Sequence, residues 1–421
     1  MSTKRASAFL IFEKVLKMTN QLVSTIFLAR FFDVNEVGNF FYCLAIATLF
    51  MSLNTLGLEN VVVSKIVKLK EDLYRITKNV FLLRLFAAVT SFFLVNLIGF
   101  FYLEGESLLI LFFISIYHFA LVFSVFDWLL QAKKKSLIYA YALLLAQIFS
   151  VAFKVVFFCF DFDILYFGLY LTIEYLIPVF FYFIYFKRGP IIRFLKEPFD
   201  KEVVFSYFKL SLPLVLTGGV TILYMRLDQL MVGAIVGTEQ VAFYTLASRL
   251  SEAWYFFGLS IISVYFPVFI SLKNKELSKF RIERLGAGLF WFGIALSLAT
   301  LLISEFVVDS LYGNEYSNSS VILSILIFIV PFVYIGTIST KMLVDNGLYM
   351  AVFYRALIAL IINFILNYIL ISNFGASGAA LASLISQVFG TFLLNYLSKE
   401  TRPVFKCQLK MLSPVTLLKR Y

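Results

Sequence analysis

The chain reads as an all-α polytopic membrane protein of about twelve transmembrane helices, and three observations carry that reading. First, 61% of its 421 residues are hydrophobic and only 14% are charged, and the mean hydropathy is +0.91. A soluble domain is about 45–50% apolar and about 25% charged, so this much apolar surface needs lipid as its solvent. Second, the apolar residues form continuous runs of about twenty, the length that crosses a hydrocarbon core of about 30 Å at 1.5 Å per helical residue. The strands of a membrane β-barrel would be alternating segments of about ten residues. Third, the charges that separate the runs alternate in sign along the chain.

The spans follow in order. The run 8–31 comes first. It opens like a signal peptide, but Glu13, Lys14 and Lys17 break the apolar stretch and no small-residue cleavage site follows, so it reads as a retained helix. Asp33 and Glu36 separate it from 38–60. A basic loop (Lys65, Lys68, Lys70, Arg75, Lys78) precedes 80–102. Glu104 and Glu106 precede 107–130, Lys133, Lys134 and Lys135 precede 136–159, and Asp161 and Asp163 precede 164–186. The central loop carries Lys187, Arg188, Arg193, Lys196 and Lys201. Beyond it lie 205–234, Glu239, 241–269, the basic loop from Lys273 to Arg284, and 286–304. Glu305, Asp309 and Glu315 mark the longest outer loop, 305–319. The spans 320–342, 350–371 and 377–397 and a basic tail complete the chain.

Of 36 Lys and Arg, ten fall inside spans, 26 fall in alternate loops and the termini, and none falls in the six opposite loops. By the positive-inside rule both termini are expected in the cytoplasm. The basic loops can also meet anionic headgroups or a negatively charged partner. The organisation expected is a six-helix lobe over 1–186, a cytoplasmic inter-lobe loop over 187–204, a second six-helix lobe over 205–397 and a basic tail over 398–421. A weak repeat supports two halves: Val34-Asn35-Glu36-Val37-Gly38-Asn39-Phe40 against Thr238-Glu239-Gln240-Val241-Ala242-Phe243-Tyr244. Parallel repeats of this kind build transporters, with the substrate path at their interface.

Composition also excludes chemistry. Three cysteines, one histidine and no C-x-x-C pair leave metal and disulfide chemistry without support, and no cofactor is expected. The 51 phenylalanines are a lipid-facing and packing feature, and no nucleic-acid partner is expected.

The informative residues are charges inside the spans. A charge at mid-bilayer costs roughly 2.5–3.5 kcal/mol even on insertion scales, and such groups face a bundle interior or a wet cavity. The cations are Lys14, Lys17, Arg30, Arg84, Lys154, Lys209, Arg226, Arg249, Lys341 and Arg355. The acids are Glu13, Glu59, Asp127, Glu174, Asp228 and Glu252. The excess of cations suits an anionic substrate. Polar stripes at helical spacing accompany them: Glu13, Lys17, Asn20, Gln21 and Ser24; Thr48, Ser52, Thr55 and Glu59; Lys209, Pro213, Thr217, Thr221, Tyr224 and Asp228; Thr245, Ser248, Arg249 and Glu252; and the amide pair Asn363 and Asn367. These stripes either line one central cavity or hold helices together. Glu13–Lys17, Arg249–Glu252 and Arg226–Asp228 can be self-neutralising pairs. Lys14, Arg84, Lys209, Lys341 and Arg355 lie near cytoplasmic ends, where snorkelling is the simpler expectation. His118, the only histidine, can serve proton coupling or a helix–helix hydrogen bond.

Three stretches resemble bacterial Wzx-type O-antigen and lipid-linked oligosaccharide flippases, within the multidrug/oligosaccharidyl-lipid/polysaccharide exporter superfamily. They are LARFFDVNEVGNFFYCLAIATLFMSLNTLGLENVVVSKI (28–66), LPLVLTGGVTILYMRLDQLMVGAIVGTEQVAFYTLASRLSEAW (212–254), and, within 311–387, LYGNEYSNSSVILSIL and NFILNYILISNFGASGAALASLISQ. The resemblance implies two six-helix lobes around a central cavity. It also implies an undecaprenyl-diphosphate-linked oligosaccharide as cargo, alternating access and H+ or Na+ as coupling ion. A polysaccharide polymerase and a chain-length regulator are implied as partners, in the bacterial inner membrane. The family's cationic cavity matches Arg30, Arg226 with Asp228, and Arg249; the expected cargo-binding set also takes Lys17, Arg84 and Glu252. Asn20, Gln21, Ser24, Thr48, Ser52, Thr217, Thr221, Asn363 and Asn367 are its expected polar lining, and Glu13, His118 and Glu174 the expected ion-coupling groups.

Rival readings remain. A multidrug exporter of the same superfamily is expected to favour acids over cations in its cavity. A lipid II flippase usually has two more spans. A major-facilitator transporter would carry glycine-aspartate-arginine between spans 2 and 3, where SKIVKLKEDLYRITK stands. A membrane polysaccharide polymerase needs a larger exposed part, and a scaffold would not need so many buried charges.

Overall fold

The computed structural model describes residues 3–69, 72–133, 135–160, 162–186 and 188–418. The side chains of residues 1–14, Glu13 and Lys14 among them, lie outside the described part. The described residues form helices joined by short connections. In order the helices are α1 Thr3–Phe31, α2 Val34–Leu49, α3 Met51–Thr55, α4 Glu59–Leu69, α5 Leu73–Tyr102, α6 Gly105–Ser115, α7 Tyr117–Val122, α8 Val125–Ala132, α9 Ser136–Cys159 and α10 Ile164–Phe186. There follow α11 Arg188–Lys196, α12 Lys201–Val236, α13 Thr238–Ile270, α14 Lys275–Leu311, α15 Asn318–Leu326, α16 Ile329–Asp345, α17 Tyr349–Val388, α18 Leu394–Leu397, α19 Arg402–Leu412 and α20 Val415–Leu418.

Among the described residues, nine stretches are long and apolar enough to cross a membrane. The last, Tyr349–Leu397, has 49 residues, which at 1.5 Å each is more than twice a bilayer core. It must fold back, and it does so at Gly375, whose φ of 58° and ψ of −141° are open to glycine alone among ordinary residues. The carbonyl of Leu370 then lies against Gly378, and α17 becomes a hairpin of two antiparallel arms. Counting both arms, α1, and the α2–α3 pair, twelve helical segments coincide with the twelve spans read from the sequence.

By packing the chain divides into two units: residues 1–32 with 39–226, and residues 33–38 with 227–421. This division falls inside α12, not in the 187–204 loop where the hydropathy pattern breaks. The reason is local. The first turns of α12 carry Tyr207, which is 2% exposed and buried with Leu56, Ile76, Val80 and Trp128. The central loop is itself structured. Phe194 of α11 packs on Phe81 and Phe126. Asp200 caps α12 by accepting from the backbone N–H of Glu202 and Val203, and it pairs with Arg75. The Arg75 guanidinium holds the Asp200 carboxyl below the usual carboxylate range.

In the second unit the core comprises Ile262, Phe266, Phe290, Tyr334, Ile338 and Phe392 together with Cys407 and Met411 of α19. The basic tail is therefore a docked amphipathic helix. Pro403 starts it, Lys410 pairs with Glu283 at 3.3 Å, and burial pushes the Cys407 thiol up to about 12. Cys43 and Cys407 are buried, and Cys159 is exposed at the end of α9. With cytoplasmic termini that end faces outward. A membrane-impermeant maleimide is expected to label Cys159 in intact cells, and labelling only after permeabilisation would reverse the orientation.

Candidate functional site

The second unit holds a polar cluster near the ends of its spans that meet at the α12–α13 turn. Asp228 lies on α12, Tyr244 on α13, Asn363 and Asn367 on the first arm of α17, and Ser383 and Ser386 on the second. Asp228 is 7% exposed, Asn363 1% and Asn367 0%. One carboxylate oxygen of Asp228 accepts from Asn367 Nδ2 at 2.6 Å and Asn363 Nδ2 at 3.2 Å. The other accepts from the hydroxyls of Tyr244 and Ser383. Asn367 also donates to Asn363 Oδ1 at 3.1 Å, and Asn363 reaches Ser386 Oγ at 3.3 Å. The hairpin turn at Gly375 makes this possible, since Asn363 meets residues 20 and 23 positions further along. Asn367 Oδ1 is buried without a hydrogen-bond partner. Two amide N–H groups and two hydroxyls thus converge on one buried carboxylate, and the unpartnered side-chain oxygen of Asn367 lies in the same cluster.

Two polar clusters lie in the first unit. Asn20 of α1 donates to Gln147 Oε1 at 2.8 Å and Ser150 Oγ at 2.6 Å on α9. Lys154, 2% exposed, donates to the carbonyl and side-chain oxygen of Asn20 and lies over the Tyr170 ring. Glu174 of α10 accepts from Gln147 at 3.4 Å. The second cluster surrounds Arg84, which is fully buried. Its guanidinium donates to Leu121 O and Ser124 Oγ, each at 2.7 Å, and to Asn54 O at 3.3 Å, with Trp128 stacked against it.

The expected snorkelling of Arg84 and Arg355 is therefore corrected. Neither reaches an interface. Arg355 is 8% exposed and donates to Ser339 at 3.2 Å, Asn395 at 3.0 Å and Thr340 at 2.9 Å. Both arginines find oxygen acceptors nearby, with the Nε of Arg355 alone among their nitrogens buried without a partner, and such acceptors hold a cation inside the bundle instead of the headgroup region. The Arg226–Asp228 pairing considered from sequence gives way to the four neutral donors on Asp228, since residues two apart diverge on a helix.

The other expected site residues divide as follows. Arg249 pairs with Glu252 at 3.2 Å, and both remain partly accessible. Arg226 is half-buried, and Lys17, Gln21 and Arg30 are exposed. Thr217 and Thr221 are exposed, with hydroxyls on Pro213 O and Thr217 O. Ser24 and Thr48 turn their hydroxyls to their own helices, and Ser52 is buried. His118 is fully buried, its Nε2 3.2 Å from Ala47 O. Tyr244, Ser383, Gln147, Ser150 and Tyr170 were absent from the sequence-derived set. Ser383 and Ser386 had a usable signal, a polar pair on one face of an otherwise apolar span.

The described residues define a polytopic helical membrane protein with buried polar clusters within its spans. Comparison with solved structures agrees on the fold. The chain matches a lipid II flippase MurJ in an inward closed conformation with a TM-score of 0.72 at 18% identity, covering 97% of this chain and 91% of that one. It matches an inward-facing multidrug resistance MATE family transporter of the MOP superfamily with a TM-score of 0.68 at 13% identity, covering 94% and 96%. The model of the polysaccharide biosynthesis protein family matches residues 4–273, and the chain belongs to that family. Relatives include the capsular polysaccharide biosynthesis protein CapF of Staphylococcus aureus, 24% identical over 46% of this chain and 50% of that protein. The probable flippase AglR of Haloferax volcanii is 31% identical over 40% of this chain and 37% of that protein. The chain thus matches half or less of the length of these relatives.

Proposed function

We propose that this protein is a flippase that carries undecaprenyl-diphosphate-linked oligosaccharide units from the cytoplasmic to the periplasmic leaflet of a bacterial inner membrane. It works by alternating access between two six-helix lobes and is a transporter rather than an enzyme. The observation that carries the reading is the family membership of a chain whose spans hold an excess of cations. A diphosphate is best gripped by arginine, through bidentate charge-assisted hydrogen bonds. Arg226 and Arg249, with the exposed Arg30, are the cations that match the flippase pattern and remain accessible or half-accessible, and Glu252 keeps Arg249 neutralised until an anion competes for it. Such a grip is weak enough to release cargo.

Coupling is assigned to Asp228, in place of the sequence candidates Glu13, His118 and Glu174. A carboxylate inside hydrocarbon is tolerated only with donors or a bound cation. Asp228 sits on α12 and its donors come from α13 and both arms of α17, so H+ or Na+ occupancy biases how those helices pack. Differential affinity for two packings is what converts an ion gradient into directed movement. The excess of ten cations over six acids in the spans weighs against a multidrug exporter of cations.

The test is a strain lacking the gene, under conditions where a block is not lethal, with a leaflet assay of its lipid-linked oligosaccharide. Completed units trapped on the cytoplasmic face and released by this protein alone support the reading. Units that reach the periplasm but fail to polymerise point to a polymerase, and normal glycan points to drug efflux. Within the assay, Arg226→Ala and Arg249→Ala are each expected to lower transport about tenfold, the loss of roughly 1.4 kcal/mol of cargo binding, with Lys restoring part of it. Full transport by both Ala variants would refute the cationic site.

A further inference from the structure

The hairpin formed by α13 and α14 carries a groove of about 490 Å³ beside its connecting turn. On α13 it is walled by Ile261, Tyr265 and Phe269, spaced four residues apart along one face. On α14 the wall is Arg281, Arg284, Leu285 and Gly288, the 0, 3, 4, 7 spacing of a single helix stripe. The groove is polarised along its length. Both guanidinium groups lie at the end near the turn, and the apolar part runs about 10 Å further into the span, from residue 281 to residue 288 at 1.5 Å per residue.

The charges at the mouth have no internal answer. Among the described residues no acidic side chain lines the groove. The nearest acid on the same helix, Glu283, is 4% exposed and is engaged by Lys410 of α19. Arg281 and Arg284 are exposed, and the Arg281 guanidinium rests 5.9 Å from the Phe269 ring centroid, which in turn lies 5.8 Å from that of Tyr265. Gly288 keeps the deep end open: a Cβ there would meet only Leu417 Cδ2, at 3.9 Å.

We propose that this groove is a binding site for an anionic phospholipid of the surrounding leaflet, its phosphate on Arg281 and Arg284 and an acyl chain along Leu285, Gly288 and Ile261. The order of charge at the interface and apolar surface at depth is that of a lipid standing in its monolayer. Two forked donors suit a phosphate, which accepts bidentate hydrogen bonds. The inference is independent of the cargo, and its readout is binding alone.

The experiment is native mass spectrometry of the purified full-length protein, titrated with phosphatidylglycerol and, separately, phosphatidylethanolamine. One phosphatidylglycerol is expected to be retained in preference to phosphatidylethanolamine. Arg281→Gln with Arg284→Gln should weaken retention about tenfold or more. Gly288→Leu, which leaves both arginines in place and fills the groove without a backbone clash, should weaken it comparably while the protein elutes and melts as before. Equal retention of the two lipids would overturn the proposal, as would unaltered binding by Gly288→Leu. Displacement of phosphatidylglycerol by equimolar undecaprenyl phosphate would also overturn it, because the groove would then belong to the cargo.

Discussion

Asp228→Asn is expected to abolish gradient-driven transport while leaving the protein folded. Asparagine keeps the shape of the side chain and one oxygen, so Asn363 and Asn367 retain an acceptor. It loses the charge, and with it the reason for a cation to enter. In reconstituted vesicles loaded with lipid-linked oligosaccharide, imposed Na+ or pH gradients should accelerate the native protein and not the variant. A fall of about 100-fold corresponds to about 2.7 kcal/mol in the barrier, a modest demand for a buried carboxylate. Asp228→Glu should retain part of the response, because the charge survives in displaced form. A variant that still follows the gradient would remove Asp228 from the coupling site and return the search to Glu174 and His118. Asn367→Ala separates the two ions. Its side-chain oxygen is buried without a hydrogen-bond partner, so its removal should weaken Na+ dependence more than H+ dependence.

The fold of this chain was legible because lipid imposes one simple rule on it. Backbone polar groups must be satisfied inside each segment, so run length and loop charge suffice to place twelve segments. The positions that escaped are those where the rule does not act. The 49-residue Tyr349–Leu397 stretch shows in sequence only as two apolar runs around a glycine; its hairpin rests on one positive φ at Gly375. The division inside α12 was hidden because hydropathy reports where the chain leaves lipid, and packing is decided by residues such as Tyr207.

Polar residues were readable as a list and unreadable as partnerships. Of the stripes, Asn20, Asp228, Asn363 and Asn367 are buried, whereas Lys17, Gln21, Thr217 and Thr221 are exposed. Period and spacing place side chains on a face, but they do not say which face of another helix answers. Asn20 finds Gln147 and Ser150 more than 120 positions away, and Asp228 finds Asn363 and Asn367 more than 130 positions away. Arg84 is the clearest case. Its distance from the end of a span suggested snorkelling, and its charge suggested cargo. Neither property reveals that four oxygen atoms lie within its reach.

Those oxygens define the second large effect. Asn54 lies at the end of α3, where carbonyls have no partner in the next helical turn, and Arg84 donates to its carbonyl; at the end of α7 Arg84 adds a second donor to the Leu121 carbonyl, which also accepts the Ser124 backbone N–H. Arg84→Met should therefore act on stability. Each buried carbonyl left unpaired costs about 1–3 kcal/mol, and removing one member of a buried charged network costs about 3–5 kcal/mol. The variant is expected to unfold about 3–5 kcal/mol more easily. Arg84→Lys should lose less, because an ammonium can satisfy some of the four acceptors but cannot fork across all of them. The discriminating quantity is transport per folded molecule. If Arg84 serves the frame, that ratio stays near the native value for Arg84→Lys even as the yield falls. A ratio that drops with an unchanged melting temperature would mean that Arg84 turns toward the cargo in another state of the cycle.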